Sequence, residues 1–176
     1  MDLHTPNPDR TLPNEPEPAV DLDADPQLHD LVPFEVGDRV FAVFADQVDG
    51  TAEGKPPAPL PRAPLGVLGV VCVRGRMLTV LDPIAVLTGE GLTWPQNLPC
   101  VIALRGDEQL AIAAHRYRDT ITITNTDIQP VGEAAEEAFE PILGLVRYAG
   151  EEITVINIER FFATAMRRRE RRRRRF

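Results

Sequence analysis

Side chains that could perform nucleophilic or acid–base catalysis are few and scattered in this sequence. It contains no serine, which excludes a Ser-His-Asp hydrolase. Its single lysine, Lys55, precedes Pro56, whereas the lysine of a phosphate-binding Walker A loop precedes Ser or Thr. The acid pairs at 136–137 and 151–152 are typical of a solvated surface. The sequence therefore predicts a protein that is not an enzyme.

The cysteines and histidines form no recognisable catalytic or metal-binding motif. Cys72 and Cys100 stand in separate apolar runs without a histidine or a charge beside them, so we expect two reduced, buried thiols. His4, His29 and His115 lack the spacing of metal ligands. The sequence accordingly predicts no metal, no cofactor and no small-molecule substrate.

The expected compartment is the cytoplasm. The start of the chain is acidic and proline-rich, unlike a secretory signal peptide. The apolar runs are broken by Gly or Arg well below the length of about 20 residues that spans a bilayer. Reduced cysteines agree with this expectation.

Charge is segregated along the chain, whose net charge is −8. Residues 1–30 hold eight acids and one arginine, and this proline-rich arm is too poor in apolar residues to fold, so we expect it to be disordered. Residues 167–176 form an arginine tail with one glutamate, expected to be frayed by self-repulsion. The arginines of this tail are Arg167, Arg168, Arg169, Arg171, Arg172, Arg173, Arg174 and Arg175.

An internal repeat organises the part of the chain between these two ends. Residues 68–82 (LGVVCVRGRMLTVLD) recur without a gap as residues 143–157 (LGLVRYAGEEITVIN), 75 positions later. Residues 36–43 are echoed by residues 105–112 at an offset of 69. Each half is therefore predicted to contain a hairpin, a connector, a second hairpin and a short helix.

The turn and alternation signals of both halves predict β-strands. Two-residue Gly-Asp turns at 37–38 and 106–107 lie between apolar runs, which is typical of tight hairpins. The runs 65–73 and 101–104 are apolar nearly throughout, which favours strands covered on both sides. We predict a mostly β fold of two packed barrels of about five strands each, at about residues 31–88 and 99–166, with their strands interleaved.

Three short helices complete the predicted elements. One begins at Pro83 with Asp82 as its N-cap, and its counterpart in the second half follows Asn157. A third short helical stretch is predicted over residues 133–139.

The stretch from residue 59 to residue 82 resembles the CheW family of chemotaxis coupling proteins. A proline-spaced loop leads to a strand with Gly69 and Arg74-Gly75, and the next strand ends in Asp82, in the order typical of that family. The resemblance covers about residues 31–164 and implies two five-stranded SH3-like barrels with short helices. Cys72 stands where the family usually has Asn, and Pro83 where Leu is common.

The resemblance implies a non-catalytic adaptor between a CheA-type histidine kinase and the cytoplasmic tips of chemoreceptors. Barrel faces would bind the regulatory domain of the kinase, and the groove between the barrels would take the receptor helices. The partner-binding residues that it implies are Gly69, Val70, Val73, Arg74 and Gly75. Two alternatives stand for Arg74: an exposed guanidinium at a hairpin tip that binds a partner, or a salt bridge inside the barrel with Asp82 as the candidate acid.

A second hypothesis is that the protein is a β-barrel that binds nucleic acid or another anionic surface, such as a membrane, through the arginine tail. The acidic body and an aromatic content of 6% weigh against it. The opposite charges of the arm and the tail also suggest a weak intramolecular contact between them.

Overall fold

The computed structural model describes residues 26–131 and 141–173, with side chains as far as Arg167. In this part of the chain the fold is mostly β, as predicted, with two sheets packed against each other. The strands are β1 (Leu28–Val36), β2 (Arg39–Phe44), β3 (Val48–Lys55), β4 (Val67–Val73), β5 (Arg76–Leu81), β6 (Leu98–Leu104), β7 (Leu110–Ala114), β8 (Arg116–Tyr117), β9 (Ile121–Thr124), β10 (Ile142–Tyr148) and β11 (Glu151–Ile156). The α-helices are α1 (Pro83–Thr88) and α2 (Ile158–Arg173), and single 3₁₀ turns lie at Ala45–Gln47 and Asn125–Asp127.

One sheet has five strands in the order β3-β6-β7-β5-β4. Its two edge strands are joined because Ala58, shortly after β3, pairs with Val70 of β4 through hydrogen bonds of 2.8 and 2.9 Å. We call this unit the five-stranded barrel.

The other sheet has six strands in the order β10-β11-β2-β1, with the short strands β8 and β9 both pairing with β1. Gln129, shortly after β9, pairs with Leu145 of β10 through two hydrogen bonds of 2.8 Å. This six-stranded barrel is therefore closed in the same way as its neighbour.

The structure confirms the internal repeat down to the strand register. In the five-stranded barrel β5 runs parallel to β7 with Thr79 opposite Leu110, and in the six-stranded barrel β11 runs parallel to β2 with Thr154 opposite Phe41. These pairs correspond at the offsets of 75 and 69 found in the sequence. Each barrel takes one hairpin from each half, since β1 and β2 join β10 and β11 while β6 and β7 join β4 and β5.

The apolar core has three parts: the interiors of the two barrels and a larger cluster between them. The cluster between the barrels unites Phe34 and Phe41 of one barrel with Ile102 and Ile112 of the other. Helix α2 covers one side of it with the buried Phe161 and Ala165. Burial of this cluster on both sides fixes the barrels against each other.

Both predicted helix caps are present. The Asp82 carboxylate accepts hydrogen bonds from the backbone N–H groups of Ile84 and Ala85 at 2.9 and 3.2 Å. In the second repeat the Asn157 side-chain oxygen accepts from the N–H of Arg160 at 3.1 Å. Each cap satisfies backbone donors that the first helical turn leaves unpaired.

Two details of the strand prediction are wrong. The turn at 106–107 is not a two-residue hairpin, because β6 and β7 are joined by five residues, 105–109. Gln109 adopts a left-handed conformation there, and its carbonyl accepts a hydrogen bond from the N–H of Thr79 on β5. The strand within 65–73 is not covered on both sides either, since Cys72 of β4 is exposed.

Three predictions concern the ends of the chain and one internal segment. The helical stretch predicted over 133–139 and the acidic arm as far as residue 25 lie outside the described residues, whereas residues 28–30 of the arm belong to β1, so the prediction of disorder is wrong for them. Helix α2 continues to Arg173, past the predicted start of the arginine tail at residue 167.

Candidate docking surface

The outer face of the β4–β5 hairpin is apolar and only partly covered. Along β4 the side chains of Val71 and Val73 point into the barrel, whereas Val70 and Cys72 point outward. Cys72 lies opposite Met77 of β5, whose side chain is 55% exposed. We call the outward set Val70, Cys72, Met77 and Thr79 the hairpin face.

The prediction that Cys72 is buried is wrong, and the reason is its place in the sheet. Strand β4 lies at the edge of the five-stranded order, so a side chain on its outer surface has no strand from the other barrel above it. Cys100 lies on β6, an inner strand between β3 and β7, and is buried as predicted. Burial raises the pKa of its thiol to about 11, which keeps Cys100 protonated at neutral pH.

The second repeat provides a direct contrast to the hairpin face. At the positions equivalent to Cys72 and Met77, strands β10 and β11 carry Arg147 and Glu152, which lie opposite each other. Opposite charges at directly opposed strand positions stabilise a solvated sheet surface. The two equivalent outer faces thus differ at this pair, which is Cys72 and Met77 in one hairpin and Arg147 and Glu152 in the other.

The turn of the first hairpin carries Arg74 at its tip. Arg74 and Gly75 both have positive φ angles, 51° and 78°, as a two-residue turn of mirror-image type requires. The Arg74 guanidinium donates to the carbonyl of Asp49 at 3.2 Å and lies flat over Gly50, where a Cβ atom would come within 3.0 Å of it. The neighbouring Arg76 makes an ion pair of 2.7 Å with the Asp49 carboxylate.

The predicted alternative for Arg74, an ion pair with Asp82, is wrong. Asp82 is buried at the start of α1, where backbone N–H groups and the indole of Trp94 occupy its carboxylate. The Arg74 side chain is exposed, and within the described residues its guanidinium, which has five N–H donors, donates to the Asp49 carbonyl. It can therefore bind a carboxylate of a partner.

The remaining predicted partner residues differ in whether a side chain reaches the surface. Val73 is 5% exposed and packs inside the barrel, so its side chain is part of the core. Gly69 is required by the backbone, because its φ angle is 144° and a Cβ atom would lie 2.4 Å from the carbonyl oxygen of Ala58. Of the five predicted residues, Val70 and Arg74 are the two whose side chains reach the hairpin face or its tip.

A groove of about 510 Å³ lies where the two barrels meet. It joins β3 and β6 of the five-stranded barrel to β8 of the six-stranded barrel. We call it the inter-barrel groove, and its lining residues are Glu53, Pro99, Cys100, His115, Arg116, Tyr117, Arg118 and Asp119. Glu53 follows Gly50 on β3 by three residues, so groove and Arg74 are about 10 Å apart along that strand.

An ion-pair network holds one wall of the inter-barrel groove. Glu35 on β1 accepts hydrogen bonds of 2.7 Å from both Arg116 and Arg118. Arg118 also binds Glu151, at the start of β11, through both terminal nitrogens. Hydrogen bonds from Arg116 and then Arg118 lower the pKa of Glu35, and the bond from Arg118 lowers the pKa of Glu151.

Sequence reasoning missed Met77 and the residues that line the inter-barrel groove. Met77 could have been found by comparing the two repeats, because its equivalent Glu152 is charged. The groove residues Arg116 and Arg118 follow an apolar strand and alternate with Tyr117, but their partner Glu35 lies 81 positions away from Arg116. Only the paired fold brings these groups together.

The described chain offers neither a metal centre nor a membrane span. Within residues 26–131 and 141–167 no three His, Cys, Asp or Glu side chains are grouped so that they could hold a metal ion. Neither of its helices is long and apolar enough to cross a bilayer.

The chain is similar to known proteins along most of its length. A family model described as CheW-like domain matches residues 30–172. The chemotaxis protein CheW of Rhizobium meliloti (strain 1021) is 27% identical over 135 residues, which are 76% of this chain and 86% of that protein. The protein FrzA of Myxococcus xanthus is 29% identical over 156 residues, 87% of this chain and 96% of that protein.

A solved structure has the same fold. The crystal structure of the scaffolding protein TtCheW from Thermoanaerobacter tengcongensis superposes with a TM-score of 0.65, at 16% sequence identity. The match covers 74% of this chain and 90% of that one. It confirms the predicted fold class of two packed β-barrels.

Proposed function

This chain belongs to the CheW-like domain family, and we propose that it is a non-catalytic, cytoplasmic adaptor of chemotaxis-type signalling that couples chemoreceptors to a CheA-type histidine kinase. Its own surfaces support two docking roles: the hairpin face for the regulatory domain of the kinase, and the inter-barrel groove for the helical tip of a receptor.

The observation that carries this proposal is the contrast between the two equivalent hairpins. A monomer with a solvated surface at these positions would have no need for Cys72 and an exposed Met77 where the other repeat has Arg147 and Glu152. Protein interfaces combine an apolar centre with a polar rim, and methionine and arginine are enriched in them. The hairpin face supplies the apolar centre, and Arg74 at its tip supplies the rim.

The inter-barrel groove is suited to a different partner. It is open and mixed in charge, with Tyr117 42% exposed beside Arg116 and Glu53. A helix that places an apolar side chain against Tyr117 and an acid near Arg116 fits this lining, as helix-in-groove recognition requires. The two docking surfaces share no residue, and we propose that both partners bind at once.

The test is binding of a purified CheA-type regulatory domain to the full chain, measured by pull-down and titration calorimetry. Met77→Glu and Arg74→Glu are expected to weaken binding at least about tenfold each, because they place charge in the apolar centre or reverse it at the rim. The matched control is Arg147→Glu, in the equivalent hairpin of the other barrel, which is expected to bind as the unchanged chain does.

Two outcomes would overturn this assignment. Undiminished binding by Arg74→Glu and Met77→Glu would remove the hairpin face from the interface. Equal losses of binding affinity in Met77→Glu and Arg147→Glu would mean that the contrast between the hairpins has no bearing on binding.

A further inference from the structure

The linker between α1 and β6 touches the rest of the molecule mainly through one side chain. Residues 90–93 and 95–97 are exposed, whereas Trp94 between them is half-buried. The indole packs against both the interior of the five-stranded barrel and the cluster between the barrels. The second repeat has no counterpart of this linker, because its equivalent helix, α2, continues into the arginine tail.

Trp94 is held by two specific contacts, one at its ring nitrogen and one at its ring face. Its Nε1–H donates a hydrogen bond of 2.9 Å to the buried Asp82 carboxylate, which also accepts from the N–H of Leu92 at 3.1 Å. Its ring stacks on the imidazole of His115, with centroids 4.7 Å apart and planes inclined by 19°. Trp94 therefore ties the start of α1 to the end of β7.

His115 extends this connection to the other barrel. Its Nδ1 accepts a hydrogen bond of 3.2 Å from the N–H of Gly37, in the turn between β1 and β2. The backbone N–H of His115 donates to the backbone carbonyl of Glu35 on β1 at 2.8 Å. The linker reaches the same turn directly, since the Leu92 side chain lies 3.7 Å from where a Cβ atom of Gly37 would be.

We propose that Trp94 is a positioning residue that clasps the two barrels together across their junction and thereby fixes the wall of the inter-barrel groove. His115 lines that groove. Trp94, which stacks on His115, is not itself a lining residue. Glu35, which receives the N–H of His115, also anchors Arg116 and Arg118 in the groove wall. The consequence for receptor binding rests on the proposed function, whereas the clasp itself does not.

The clasp can be tested without any partner. Trp94 is the only tryptophan of the chain, so its fluorescence reports the stack on His115. His115→Ala keeps the indole and its bond to Asp82 and is expected to change the emission of Trp94 and to speed amide exchange at Gly37, measured by NMR. Trp94→Leu is expected to speed exchange at both Gly37 and Leu92, while Trp94→Phe, which keeps a stacking ring, restores protection at Gly37 and not at Leu92.

The binding test uses a helical receptor-tip fragment and the full chain. Trp94→Leu is expected to weaken binding about tenfold through the displaced groove wall, with Trp94→Phe recovering most of the loss. Leu60→Ala, which removes an exposed side chain from another loop, is the control and is expected to have no effect.

The outcomes separate the two proposals. Unchanged exchange at Gly37 in both His115→Ala and Trp94→Leu would overturn the clasp, whatever the binding result. Failure of the unchanged chain to bind the fragment would count against the proposed receptor contact and leave the clasp to be judged by the exchange data. Altered exchange together with unaltered binding would overturn the positioning role.

Discussion

The two cysteines of this chain have opposite environments although both stand in apolar runs. Cys72 points outward from an edge strand beside Met77, and Cys100 is 2% exposed on an inner strand. Thiol reactivity depends on access and on the fraction of thiolate, and burial raises the pKa of Cys100 to about 11.

We therefore expect iodoacetamide to alkylate Cys72 alone in the folded protein at neutral pH and to alkylate both thiols in denaturant. Mass spectrometry of tryptic peptides measures this directly. Rapid alkylation of Cys100 in the folded chain, or protection of Cys72, would contradict the described strand orientation.

Single residues also show where reasoning from the sequence stops. The predicted hairpin tip at Arg74 is confirmed, because Arg-Gly between β-rich runs forms the turn that exposes this side chain, and its role as a partner contact stays a prediction. Burial of Val73 and exposure of Cys72 depend on which face of β4 each side chain takes. A run of apolar residues does not reveal that face, because alternation is invisible when every position is apolar.

At the level of elements, each barrel is closed at a glycine. Gly69 and Gly144 occupy equivalent positions, and a Cβ atom would lie 2.4 Å from the Ala58 carbonyl oxygen or 2.6 Å from that of Gln129. Gly75 also has a positive φ angle, but nothing lies within 4 Å of the place where its Cβ would be.

We predict that Gly69→Ala destabilises the fold by about 3 kcal/mol or more, since it adds a clash with backbone to an unfavourable conformation. Gly75→Ala is the matched control and is expected to cost about 1 kcal/mol from the conformation alone. Urea unfolding of the two variants gives both values, and equal costs would mean that the close approach at Ala58 does not constrain the barrel.

The Glu35–Arg118–Glu151 network joins β1 to the β10–β11 hairpin and makes stability depend on pH. Both carboxyl groups have pKa values lowered below the ordinary 4.5 by their bonds to arginine. A lowered pKa in the folded state contributes stability above the ordinary value, and this contribution is lost as the pH falls through the lowered one.

We expect the free energy of unfolding to fall as the pH is lowered through and below the ordinary carboxyl pKa of 4.5, and to fall less steeply in Arg118→Gln, which is expected to be destabilised already at neutral pH. Arg105→Gln serves as the control because Arg105 donates to the carbonyl of Val48 rather than to a carboxylate. Urea unfolding across this pH range is the measurement. Parallel pH profiles for the unchanged chain and Arg118→Gln would contradict the role of the network.

The order of elements was largely predictable, and the interfaces between them were not. The gapless repeat of residues 68–82 in 143–157 predicts two equivalent hairpins and their capped helices, and the structure confirms both. The clasp at Trp94 has no counterpart in the second repeat. It joins Asp82, His115 and Gly37, and the last two are 78 positions apart in the sequence. Such contacts follow from how two closed barrels pack, which local patterns do not encode.

For the molecule as a whole, the arginine tail remains a proposed site for an anionic partner. Helix α2 includes the backbone of the tail as far as Arg173, and residues 1–30 supply a matching excess of acids within the same chain. Contacts between such solvated charges are weak and are screened by salt.

If the arm contacts the tail, the Stokes radius grows between about 0.02 M and about 0.5 M salt, since the Debye length shrinks well below 10 Å. Neutralising the arm by changing Asp21, Asp23 and Asp25 to Asn reduces that growth. A Stokes radius that does not change with salt would contradict a contact between the arm and the tail. Salt-sensitive binding of an oligonucleotide by the full chain would favour nucleic acid as the occupant of the tail.

The adaptor role depends on two surfaces of one rigid body that are occupied together. The most direct measurement is sedimentation velocity on a mixture of this chain, a CheA-type regulatory domain and a receptor-tip fragment, with each pair run separately. We predict one complex containing all three, and the kinase domain and receptor fragment sediment together only when this chain is present. Displacement of one partner by the other, or no complex with either, would contradict the proposal.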